Sequence, residues 1–87
     1  MDTKQQNLCG ERIKLARVKN RMTQIDLAAA LETDYNIVLD GSRIGKIERG
    51  ERCLYDYELL AFSEILSVPV NWLLKGEFTP AGYPPES

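Results

Sequence analysis

The chain has 87 residues and a mass of 9.9 kDa, the size of one small domain with short tails, which leaves little room for a large substrate cleft. Hydrophobic residues make up 44% and charged residues 28%, the balance of a chain that folds rather than one that stays disordered. No apolar run approaches the roughly 18 residues of a membrane helix, and Met1–Asn7 lacks the hydrophobic stretch of a secretion signal, so a cytoplasmic protein with no membrane partner is expected.

Histidine is absent, which excludes histidine acid/base catalysis, Ser-His triads and Cys/His zinc sites together. Asp56, Glu58 and Glu64 are acids without a nucleophile, a metal cluster or a glycine-rich phosphate loop beside them. Asp56 and Glu58 are better explained as first-turn acids favoured by a helix dipole, and no enzyme, cofactor, metal or small-molecule ligand is implied. Cys9 and Cys53 lie far apart and form no C-x-x-C pair, so both are expected to be small buried apolar residues, a disulfide being the lesser reading.

The net charge of −2 argues mildly against a polyanionic partner. Its distribution argues otherwise. Residues 1–25 carry Lys4, Arg12, Lys14, Arg17, Lys19 and Arg21 against Asp2 and Glu11, while the acids gather in residues 26–64. A basic run by itself is explained as readily by a solvated helix face.

Residues 1–7 read as a short arm. Cys9, Ile13 and Ala16 recur at i, i+4 and i+7, so residues 8–20 read as an amphipathic helix whose other face is rich in Arg and Lys. Thr23 can cap a second helix over 24–32, answered by Asp26 three residues on. Asp34, Tyr35 and Asn36 interrupt the periodicity, and 33–39 reads as a loop. Asp40 can cap a third helix that Gly50 ends. Gly45 inside it costs about 1 kcal/mol relative to alanine, which points to tight packing or a close partner. Asp56 suits the cap of a fourth helix, with Leu59, Phe62, Ser63 and Leu66 at i, i+3, i+4 and i+7. Val68 and Pro69 break it, and a fifth helix over 70–74 closes at Gly76. Residues 77–87, with three prolines, read as an extended, flexible tail, leaving one compact all-α domain of five helices over 8–76.

Thr23-Gln24-Ile25-Asp26-Leu27-Ala28, followed by Ile44-Gly45-Lys46-Ile47-Glu48-Arg49-Gly50, resembles the "TQ-x-x-LA … I-x-x-IE-x-G" signature of the Xre/Cro family of phage-repressor-type helix-turn-helix proteins. Ile13, Lys14 and Arg17 stand where that family has its first-helix motif, and 56–61 and 68–74 look like its fourth and fifth helices, so the likeness spans about residues 8–75.

The resemblance implies a lambda-repressor-like domain whose third helix enters the DNA major groove while the second lies across the backbone. Carried onto this chain, Gly41, Ser42, Arg43 and Lys46 become base-reading residues. Thr23, Gln24, Arg49 and Arg52 become phosphate-binding ones, Arg17 and Glu48 a structural ion pair, and Ala28 the small residue that lets helices two and three cross. The guanidinium of Arg43 can fork onto guanine, Ser42 is permissive, and Lys46 suits guanine or phosphate equally. Trp72, Leu73 and Phe78 are candidates for a dimer interface, with core burial an equal reading for the tryptophan. Tyr35, Tyr55 and Tyr57 remain open between packing on the domain and approaching DNA.

Two features depart from the family pattern. Glu32 to Leu39 inserts about six extra residues before the recognition helix, and Asp40 and Gly41 replace the usual serine or arginine. The implied function is a transcriptional regulator, a repressor in the first instance, binding a palindromic double-stranded DNA operator as a homodimer without a cofactor. The alternative is a protein-interaction module, such as an antitoxin-like partner protein with weak DNA binding.

Overall fold

The computed structural model describes residues 5–84; the rest of the expected arm, residues 1–4, and the last three residues of the tail lie outside the described residues. Among the described residues there are five helices and no strand: α1 (Gly10–Lys19), α2 (Gln24–Tyr35), α3 (Gly41–Glu48), α4 (Asp56–Leu66) and α5 (Val70–Lys75). No helix among them is long and apolar enough to cross a membrane. Every helix sends apolar side chains into one core, in which Ile13, Leu27, Leu31, Ile44, Ile47, Phe62, Leu66, Trp72 and Leu73 are fully buried. Each such burial stabilises the fold by about 1.5–3 kcal/mol.

Helix α1 begins two residues later than the apolar periodicity suggests, because its first donors are satisfied from outside the helix. Asn7 Oδ1 accepts from the backbone N–H groups of Cys9 and Gly10 at 2.8 Å each. The Asn7 amide donates to the carbonyls of Ile47 at 3.0 Å and Arg52 at 2.9 Å, which ties the start of α1 to the end of α3. Gly10 makes that contact possible: a Cβ there would collide with the Ile47 carbonyl and stand 2.7 Å from that of Glu48.

Helix α2 opens on a capping box, with Thr23 Oγ1 accepting from Asp26 N–H at 3.0 Å and the Asp26 carboxylate accepting from Thr23 N–H at 2.9 Å. It then runs three residues past the expected end, through what reads in sequence as loop. No glycine or proline interrupts 32–35, and the Tyr35 hydroxyl donates to Glu64 at 2.7 Å, fastening the extra turn to α4. Asn36 ends the helix in the left-handed region at φ 56°. The inserted residues are thus divided between a longer helix and a five-residue connection, 36–40. In that connection Leu39 is buried, Ile37 packs on the core and Val38 is exposed.

Asp40 Oδ1 accepts from Arg43 N–H at 2.8 Å and caps α3. Asp56 does not cap α4. It is the first helical residue, Tyr55 holds the cap position, and the Glu58 carboxylate reaches back to accept from Tyr55 N–H at 3.0 Å. Of the apolar row expected there, Phe62 and Leu66 are buried with Ala61, while Leu59 and Ser63 are half-buried.

The cysteines divide. Cys9 is buried and Cys53 is exposed in the segment joining α3 to α4, where Leu54 rather than Cys53 packs on the core. Both are free thiols, so neither the joint burial nor a disulfide holds. The tail also departs from the extended form: it turns at Pro80–Tyr83 and lays the Tyr83 ring edge-on to Trp72 at 4.9 Å, with the Lys19 ammonium 5.6 Å from the ring centroid.

Candidate nucleic-acid interface

Helix α3 has one buried side and one open edge. Ile44, Gly45, Ile47 and Glu48 face inward. Ser42, Lys46 and Arg49, at i, i+4 and i+7, form an exposed line, with Arg43 exposed beside it. Among the described residues the side chains of Arg43 and Lys46 have no hydrogen bond or ion pair, so two cations project from this edge uncommitted.

Gly41 and Gly45 share the face of α3 that meets the first turn of α2. A Cβ on Gly45 would lie 3.2 Å from Arg49 Nη1 and 3.4 Å from Gln24 Nε2, and one on Gly41 would lie 3.7 Å from Ile25 Cγ1. The glycine inside the helix thus leaves room for the ends of two flexible side chains, Gln24 from α2 and Arg49 from the C-terminal cap of α3. Gly41, expected to face bases, faces the first turn of α2 and offers no side chain. Ala28, half-buried, packs against the core farther along α2.

Glu48 holds the two helices in register. Its carboxylate, 3% exposed, accepts from Arg17 Nε at 2.6 Å and Nη2 at 3.1 Å, and from Gln24 Nε2 at 3.1 Å. Arg17 spends its remaining reach on the Met22 carbonyl at 2.8 Å. A two-pronged, charge-assisted contact of this kind fixes geometry as well as energy, so Arg17, Gln24 and Glu48 lock α1, α2 and α3 together.

The expected phosphate-binding residues do not form one set. Thr23 is exposed but its hydroxyl oxygen already serves the capping box, and Gln24 is tied to Glu48 through one of its two amide hydrogens. Arg49 is 58% exposed and pairs loosely with Glu51 at 3.1 Å. Arg52 is turned inward: Nη1 and Nη2 donate to the buried Glu58 at 3.1 and 3.3 Å, and Nη1 also reaches the Cys53 carbonyl. A buried carboxylate needs such a partner, and α4 supplied a demand that spacing in the sequence did not reveal.

Solved structures share this fold. That of the P22 c2 repressor protein in complex with synthetic operator 9T in the presence of Tl+ matches with a TM-score of 0.68 and 31% sequence identity, over 82% of this chain and 98% of that one. The chain belongs to the phage-repressor-type helix-turn-helix family. The DNA-binding domain of BldD, at 19% identity and a TM-score of 0.65 over 85% of this chain and 99% of that one, shares the fold. No family model and no curated protein matches the sequence.

Within this helix-turn-helix chain, Trp72 and Leu73 are wholly buried, so of the two readings of the tryptophan the core one holds, and Leu73, a candidate for the dimer surface, lies in the core with it. Only Phe78 of that trio is exposed. Tyr35 packs back through Glu64, whereas Tyr55 and Tyr57 stack on each other in the open, 5.7 Å apart. Sequence reasoning overlooked Asn7 and Gly10; an asparagine three residues before a helical glycine is a capping signal that was available.

Proposed function

We propose that the protein is a sequence-specific double-stranded DNA-binding transcriptional regulator, cytoplasmic, acting as a homodimer on a roughly palindromic operator and repressing by occupancy. The observation that carries this is the open edge of α3, with Ser42, Arg43 and Lys46 uncovered on a helix held rigidly by Glu48. An α-helix fits the major groove, where an arginine fork recognises guanine O6 and N7. The P22 c2 repressor, on the same scaffold, was solved on a synthetic operator, which supports the assignment.

In this reading Arg43 and Ser42 touch base edges and Lys46 touches guanine or phosphate. Arg49, the free donors of Gln24 and the first backbone N–H groups of α2 hold the DNA backbone, since a helix N-terminus attracts phosphate. Arg52 leaves the phosphate set because its guanidinium neutralises Glu58. The acidic net charge is no obstacle, because salt-dependent attraction depends on the cations that meet phosphate and not on the sum over the chain.

The test is selection from a random duplex library at about 100 mM salt, followed by titration of the enriched duplex at two salt concentrations. An enriched palindrome is expected, with a slope of log K against log salt near −4 if about two cations per protomer meet phosphate. Arg43→Ala should then cost about 1–3 kcal/mol and relax preference at one base pair per half-site. No enrichment, with weak binding equal on every sequence, overturns the operator-reading function and leaves a protein-interaction module.

A further inference from the structure

We propose that Ile25, on α2 rather than on the recognition helix, determines specificity by contacting the C5-methyl group of a thymine. This rests on the assignment of α3 to the major groove. Ile25 is 74% exposed, more than any other large hydrophobic residue of the described chain. It is the second residue of α2, a place where a β-branched apolar side chain gains nothing for the helix or the core. A single exposed aliphatic residue on a surface needs no explanation in general. This one differs in its position.

Its Cγ1 lies 3.7 Å from where a Cβ on Gly41 would be, so Ile25 stands beside the first turn of α3, on the side to which residue 41 would project. Gly41 sends nothing there. Asp40 has Oδ1 engaged in capping, and Ser42 is small. Gln24 Cβ lies 3.8 Å from the same point, but Gln24 is half-buried, so the outermost side-chain surface beside the tip of α3 is the aliphatic side chain of Ile25. Of the four base-pair orientations viewed from the major groove, only thymine offers an apolar group, its methyl, to meet it. A methyl packed on Ile25 removes both from water, and the selectivity is for T over C or deoxyuridine at one position in each half-site.

The experiment uses the full chain and the enriched duplex, with each thymine replaced in turn by deoxyuridine, which deletes the methyl and leaves base pairing intact. Affinities are measured by fluorescence anisotropy for the wild type and for Ile25→Ala. One thymine per half-site is expected to matter, its replacement weakening wild-type binding about fourfold, the value of one buried methyl. Ile25→Ala should bind the thymine and deoxyuridine duplexes equally, with an unchanged melting temperature. Indifference of the wild type to every replacement overturns the inference, as does an Ile25→Ala variant that still discriminates like the wild type. Failure of any duplex to enrich is a different result: it removes the operator-reading function itself, and this contact with it.

Discussion

Glu48→Ala deletes three hydrogen bonds at once, two from Arg17 and one from Gln24, and strands a guanidinium that is only 12% exposed. Arg17 would keep the Met22 carbonyl and no anion. Removing one partner of a buried pair costs about 3–5 kcal/mol, mostly as the penalty on the charge left behind. A chain of this length has a total stability of roughly 4–13 kcal/mol at about 0.05–0.15 kcal/mol per residue, so the loss is a large part of the whole. With a urea m-value near 1 kcal/mol/M, as suits so small a domain, the midpoint should fall by about 3 M or the variant should be unfolded in buffer. Urea titration followed by circular dichroism at 222 nm reads this directly. A midpoint within about 0.5 M of the wild type would refute the claim that this carboxylate locks α1, α2 and α3. The paired replacement Arg17→Met with Glu48→Leu separates the two contributions, since removing both charges should recover most of the lost stability.

Gly10→Ala places a methyl against the backbone carbonyls of Ile47 and Glu48, which have no rotamer to retreat into, and should cost about 1–3 kcal/mol. That corresponds to a fall in Tm of at least about 4 °C for a domain this size, and an unchanged Tm would mean that α1 and α3 do not meet there. The capping box gives a pH dependence. The Thr23 backbone N–H, then its hydroxyl, hold the Asp26 carboxyl below the ordinary carboxylate range. A lowered pKa contributes stability above the unfolded value near 3.9, and the contribution is lost as pH falls through the folded value. Asp26→Ala should therefore be less stable than the wild type at pH 7, with the gap narrowing at pH 2.5; a gap of equal size in urea titrations at both pH values would count against the box. Burial pushes the Cys9 thiol up in spite of the nearby Arg12, so a thiol reagent at pH 8 should modify Cys53 alone in the native protein and both cysteines in denaturant. Two fast-reacting thiols in buffer would contradict the burial of Cys9.

Most of the helical order was legible because it depends on neighbours in the chain. Thr23 and Asp26 cap α2, Asp40 caps α3, and Gly76 closes α5 with a positive φ, each through contacts only a few residues apart. The signature residues brought out by the family resemblance, Arg17, Gln24 and Glu48, meet in space as one hydrogen-bonded group. Errors arose where a local rule competed with a distant partner. Asp34, Tyr35 and Asn36 look like a break, yet the bond from Tyr35 to Glu64, 29 residues away, carries α2 through the first two of them.

The amino-acid sequence by itself determined the five-helix class and the exclusion of histidine chemistry, since these follow from composition, period and caps, and the family resemblance it carries pointed to the cations of α3. Only the tertiary structure decided which charges remain available. Arg43 and Lys46 stay free while Arg17 and Arg52 are consumed by buried carboxylates, Trp72 and Leu73 turn inward, and Ile25 is left uncovered beside a glycine. The physical reason is that an ionic or apolar side chain takes its role from whatever packs against it. In a small all-α domain those partners come from other helices, set by crossings such as Gly10 on the end of α3 that no local pattern encodes.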